Sequence, residues 1–132
     1  MFNRWIEDGL LELLGREGVG CIVFSPLAQG LLTDKYLKGI PGNSRAAKAR
    51  FLKPEHITDD KIERVKKLKK IADERDQSMA ELALAWVLRD ERVTSALIGA
   101  SSVKQLESNV HTLQNSVLSD DEKSRIEAIL RG

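Results

Sequence analysis

The sequence predicts an α/β fold in which two parallel-type strands are separated and covered by helices. Three observations carry this. Cys21-Ile22-Val23-Phe24 is a continuous apolar run without polar alternation, the pattern of a strand buried on both faces. A second short run, about Thr94 to Ile98, lies far downstream. The segments around both runs carry helical apolar spacing and capping signals. The expected order is helix, strand, basic loop, two helices, strand, two helices.

The bulk numbers are those of one ordinary globular domain. The chain has 132 residues, 42% hydrophobic and 31% charged, with a net charge of +1. So balanced a charge selects neither nucleic acid nor acidic partners. The single cysteine, Cys21, excludes an internal disulfide framework and reads as a core thiol, consistent with a cytoplasmic setting. No apolar run approaches the roughly 18 to 20 residues of a membrane span. No metal site is expected.

Each element has a local reason. Ile6, Leu10, Leu13 and Leu14 recur at helical spacing, predicting a helix from Met1 to Gly15. The first strand, Gly20 to Ser25, must stop at Pro26, which has no amide hydrogen to donate. Gly30 to Tyr36 can hold a short helical turn. Thr58 caps the next helix, with Asp59 and Asp60 in its first turn and Ile62, Val65, Leu68 and Ile71 as its stripe. Its lysine run (Lys66, Lys67, Lys69, Lys70) reads as a solvated face. Ser78 and Glu81 form a capping box. The helix that follows, Ala80 to Leu88, is apolar nearly all round and so is expected to be buried, Trp86 included. After the second strand, Ser102 and Gln105 have capping-box spacing, and Leu106, Val110 and Leu113 make an inward stripe. Ser119 with Glu122 caps the last helix, which carries Ile126, Ile129 and Leu130 inward.

Ligands bind beyond the carboxyl ends of strands in such folds. That points to Ser25 to Gly30, and to Gly99-Ala100-Ser101-Ser102, where small residues and a helix N-terminus offer amides and hydroxyls to an anion. Between them, Lys35, Lys38, Arg45, Lys48, Arg50 and Lys53 occur with no acid among them. This segment is either a solvated loop or a clamp over phosphates.

Taken together, these motifs resemble the aldo-keto reductases. Phe24-Ser25-Pro26-Leu27-Ala28-Gln29-Gly30-Leu31 is similar to the family's strand-seven turn. Leu97-Ile98-Gly99-Ala100-Ser101-Ser102, with Gln105-Leu106 and Asn109, is similar to its strand-eight cofactor motif. Gly39-Ile40-Pro41, Ser44-Arg45 and Leu82-Ala83-Leu84-Ala85-Trp86 also match. The likeness covers essentially the whole chain, nearest to bacterial glyceraldehyde-3-phosphate reductase-like members and potassium-channel β-subunits. Met1 to Trp5 resembles the family just after strand six.

The resemblance implies a single partial domain over residues 1–132, the C-terminal part of a (β/α)8 barrel with its last two strands, mostly helical in isolation. It implies NADP(H) as cofactor. Ser25, Pro26, Leu27, Ala28 and Gln29 would line the pyrophosphate and nicotinamide side, with Lys35 and Arg45 on cofactor phosphates. Gly99, Ser101 and Gln105 would sit at the 2′-phosphate end and Asn109 at the adenine. Ser108 departs from the glutamate that relatives often carry before that asparagine. The family's Asp, Tyr, Lys and His tetrad comes from earlier strands. Tyr36, His56 and His111 do not match it, so no catalytic residue is expected here; His56 is a loop residue and His111 a surface one. A complete barrel needs about 250 residues. The chain is therefore expected to hold cofactor without performing the reduction of a small aldehyde or ketone, and to self-associate or pair with the missing N-terminal portion. The alternatives are a non-enzymatic nucleotide-binding module and an inactive truncation.

Overall fold

The computed structural model describes residues 1–37, 39–40, 42 and 52–132. In order these form α1 (Leu10–Arg16), β1 (Cys21–Phe24), α2 (Asp59–Glu74), α3 (Met79–Leu88), β2 (Val93–Leu97), α4 (Val103–His111) and α5 (Asp120–Arg131), joined by short 3-10 turns. The two strands pair in parallel, Ile22 opposite Ser95 and Phe24 opposite Leu97. The ladder slips between Cys21 and Ile22, where the Cys21 amide donates to the Thr94 hydroxyl at 3.0 Å.

The core is helical. Val65, Leu68 and Ile71 of α2, Met79, Leu82 and Trp86 of α3, and Ile126 of α5 are buried in one cluster with Leu32 and Leu118. As α3 is apolar all round, it sits in the middle, packed against α2 on one side and β2 on another. A smaller cluster of Leu11, Cys21 and Val93 attaches α1 to the sheet. Both capping boxes form, at Ser78/Glu81 and Ser119/Glu122. Thr58 Oγ1 accepts from the Lys61 amide. Arg89 stacks over the Trp86 ring at 3.8 Å from its centroid. No helix among the described residues is long and apolar enough to cross a membrane.

Four expectations change. The first helix is interrupted: a 3-10 turn at Trp5–Glu7 and α1 are separated by Gly9, whose φ of +85° only glycine adopts cheaply. The second strand starts one residue earlier than expected. The first strand is not covered on both faces. Cys21 points to the helices, but Ile22 is 69% and Phe24 80% exposed, because no layer among the described residues lies opposite. For the same reason the α4 stripe forms without going inward: Leu106, Val110 and Leu113 are exposed.

Candidate ligand groove

Beyond the carboxyl ends of β1 and β2 lies an open groove of about 940 Å³. Phe24 and Leu97, the last residues of the two strands, line its base. One wall is the turn after β1. Here Ser25, Ala28 and Gln29 have φ of 51°, 48° and 60°, and Gly30 has 97°. Left-handed backbone costs a non-glycine residue roughly 1–2 kcal/mol, and such strain concentrates at functional sites. The turn is held by its own bonds: Ala28 N to Ser25 O (2.9 Å), Gly30 N to Leu27 O (2.9 Å) and Leu32 N to Leu27 O (3.2 Å). Gln29 Nε2 donates to Ser25 Oγ at 2.9 Å. Thr33 then links the turn to the next one. Its hydroxyl donates to Gly30 O at 2.6 Å and accepts from the Lys35 amide at 3.3 Å.

The second wall is the start of α4. Ser102 caps the helix, its Oγ accepting from Gln105 N at 3.2 Å. The reciprocal half of a capping box is absent. Gln105 Oε1 instead accepts from both the amide and the hydroxyl of Ser101, at 2.9 and 3.0 Å. The glutamine therefore braces the residue before the cap. The first amides of a helix have no intrahelical partner, and Ser102 and Lys104 of this first turn line the wall.

Ser78 and Ala80, at the start of α3, close the third side. Glu81 fixes that end. It accepts from Ser78 N at 2.7 Å and meets His111 Nδ1 at 3.2 Å. Burial pushes its carboxyl up, but the bonds from Ser78 and the neighbouring His111 outweigh this and hold it below the usual carboxylate range. The start of α3 is thus tied to the end of α4.

Of the residues expected at a site, Ser25, Pro26, Leu27, Gln29, Lys35, Gly99, Ser101, Gln105 and Asn109 all line this groove. Ala28 does not; it packs against the hydrophobic clusters behind the turn. Arg45 lies outside the described residues, as do Lys38, Lys48 and Arg50. Lining residues not named as site residues from the sequence include Phe24, Thr33, Tyr36, Ser78 and Lys104, and Ser108, the departure beside Asn109, joins them. Only tertiary structure brings Ser78 here, whereas Tyr36 directly follows Lys35. Lys104 had a local signal, a cation two residues past a serine cap.

The described lining carries two cations, Lys35 and Lys104, and no carboxylate or imidazole. It combines hydroxyls, amides and exposed aromatic surface at Phe24. This suits an elongated anion bearing flat rings. The buried hydroxyl of Tyr36 has no hydrogen-bond partner among the described residues, so the wall also holds an unused polar group.

Two parallel strands with helices packed on one side and a groove at their carboxyl ends match the arrangement of one sector of an α/β barrel. The chain belongs to the aldo/keto reductase family, whose model matches residues 1–131. It is 49% identical over 132 residues to L-glyceraldehyde 3-phosphate reductase of Escherichia coli (strain K12), covering 96% of this chain and 38% of that protein. It is 36% identical over 136 residues to a probable voltage-gated potassium channel subunit beta of Oryza sativa, covering 99% and 42%. Among solved structures it matches an aldo-keto reductase of Bacillus halodurans in its holo form (TM-score 0.72, 26% identity, 97% of this chain and 39% of that one). A glycerol dehydrogenase of Gluconobacter oxydans matches with TM-score 0.77, 25% identity and coverage of 98% and 39%. The chain thus spans about two-fifths of these relatives, and its fold is the C-terminal part of their barrel.

Proposed function

We propose that this chain supplies the cofactor-holding part of an NADP(H)-dependent aldo-keto reductase acting on small aldehydes or ketones. The supporting observation is the groove itself, with Lys35, Lys104 and the start of α4 on a channel based on Phe24 whose described lining holds no carboxylate. In this reading Lys35 and the turn after β1 take the pyrophosphate. Ser101, Lys104 and Gln105 take the 2′-phosphate, Asn109 the adenine, and the Phe24 ring flanks the nicotinamide. The bound cofactor supplies the hydride; these residues orient it. The proton donor that carbonyl reduction requires belongs to the remainder of the barrel, and so does the substrate pocket. A phosphorylated aldehyde such as glyceraldehyde 3-phosphate fits the likeness to the bacterial reductase.

Calorimetric titration of the full chain with NADPH and NADH tests this. Saturable binding with NADPH preferred is expected, and adding an aldehyde should leave NADPH absorbance unchanged. Failure to bind either nucleotide would overturn the cofactor assignment. Turnover by the chain alone would overturn the division of labour. A non-enzymatic nucleotide-binding module, suggested by the likeness to a channel β-subunit, predicts the same binding. It also predicts no turnover once the barrel is completed with the relative's N-terminal portion.

A further inference from the structure

Tyr36 is the one tyrosine of the chain. It ends the 3-10 turn Asp34–Tyr36, directly after Lys35. The residue is 2% exposed and packs with Leu31 and Leu52, with Ala28, Ile57 and Ile62 beside them. In such surroundings phenylalanine would serve the core equally well, and a buried hydroxyl without a partner costs roughly 1–3 kcal/mol. Yet the hydroxyl has none among the described residues. The same side chain lines the groove. It also abuts the strained turn: a Cβ added at Gly30 would lie 3.7 Å from Tyr36 Cε2. Through Thr33, that turn and the Tyr36 turn are hydrogen-bonded to each other.

We propose that the Tyr36 hydroxyl is a binding group reserved for the occupied groove, donating to a phosphate oxygen of the dinucleotide beside Lys35. This rests on the groove holding such a cofactor. The hydroxyl is closed off from water, so the contact requires the Asp34–Tyr36 turn to shift when ligand binds. The unbound protein bears the cost of the unpaired group, and the ligand relieves it. A hydrogen bond to a charged group is stronger than one between neutral groups, so the hydroxyl adds affinity where an apolar core residue would add none.

The test compares wild type with Tyr36→Phe by NADPH calorimetry and urea unfolding. Expected is a Kd about ten- to a hundredfold higher, with the unbound variant as stable as wild type or more so. A 3-fluorotyrosine label gives one resonance, which should move on NADPH addition. A Tyr36→Phe variant that binds like wild type overturns the proposal while leaving the groove reading intact. So does a variant destabilised without ligand, because the hydroxyl then has a partner within the protein. Absence of NADPH binding by wild type removes the groove reading and this proposal with it.

Discussion

Replacing Arg75 with alanine should destabilise the chain more than any other single change to a charged residue. Arg75 follows α2, and its side chain is only 7% exposed. Nη1 reaches both carboxylate oxygens of Glu122 at 2.7 Å. Nη2 donates to the carbonyls of Asn115 (2.8 Å) and Val117 (3.1 Å), and Nε to Gln77 Oε1 (2.7 Å). One guanidinium therefore joins the end of α2, the connection after α4 and the start of α5. Truncation leaves the Glu122 carboxylate without its cation and the Val117 carbonyl without its donor, while the Asn115 carbonyl keeps Gln77 Nε2 at 2.9 Å. Breaking a buried pair in this way costs about 3–5 kcal/mol, a large share of the roughly 5–15 kcal/mol that stabilises a typical domain. For this chain length that corresponds to a Tm lower by about 10–20 °C. Arg75→Lys should fall between, since an ammonium cannot span the same acceptors. Circular dichroism melts of the three proteins provide the assay. A loss below about 1 kcal/mol for Arg75→Ala would show that water replaces the guanidinium, and the argument from its burial would fail.

Further outcomes follow from the groove and its supports. Phe24→Ala should weaken NADPH binding by about 1–3 kcal/mol if the ring stacks on a heterocycle. Little stability should be lost, because the ring is exposed; unchanged calorimetric affinity would refute the stacking. Gly30→Ala should cost roughly 1–2 kcal/mol in urea unfolding, through its left-handed backbone, while Ala28→Gly should gain rather than lose stability. Glu81 and Glu122 are both held below the ordinary value of 4.5. For Glu122 burial pushes the value up, and Arg75 and the Ser119 cap outweigh it. Carboxyls depressed in the folded state contribute fully above 4.5 and lose that contribution as pH falls through their folded values. The urea midpoint should therefore drop progressively below pH 4.5, and a midpoint independent of pH there would contradict the assignment. Sedimentation should reveal self-association through the exposed face of Ile22, Phe24 and Leu97; a strictly monomeric chain at high concentration would contradict it.

Elements whose cause is local were legible in the sequence. Ser78 with Glu81 and Ser119 with Glu122 encode their helix starts in four residues each, and the α2 stripe needs only its own spacing. Pro26 fixes where β1 ends, and the groove begins there. The break at Gly9 was hidden because Ile6 and Leu10 keep helical spacing through a 3-10 turn. The open face of β1 is not legible in Cys21 to Phe24, because an unbroken apolar run says what a strand would cover, not what lies opposite. At the groove, Ser101 and Gln105 were visible as motif residues. Their mutual bracing was not, because it replaces the capping bond that the spacing suggested. Ser78 reaches the groove only through packing of segments distant in sequence.

The pairing of Cys21 with Val93 across all of α2 and α3 also orders events during folding. Closing so long a loop costs entropy before any ladder bond repays it. The α2–α3 pair is adjacent in sequence, needs no such closure and can assemble first. The parallel ladder, and the groove across its ends, should then be completed last. Amides of β1 and β2 should accordingly exchange with solvent ahead of those in α3. A ligand that bridges the ends of both strands would act as a clamp on the slowest step, slowing the opening of the sheet more than that of the helical core.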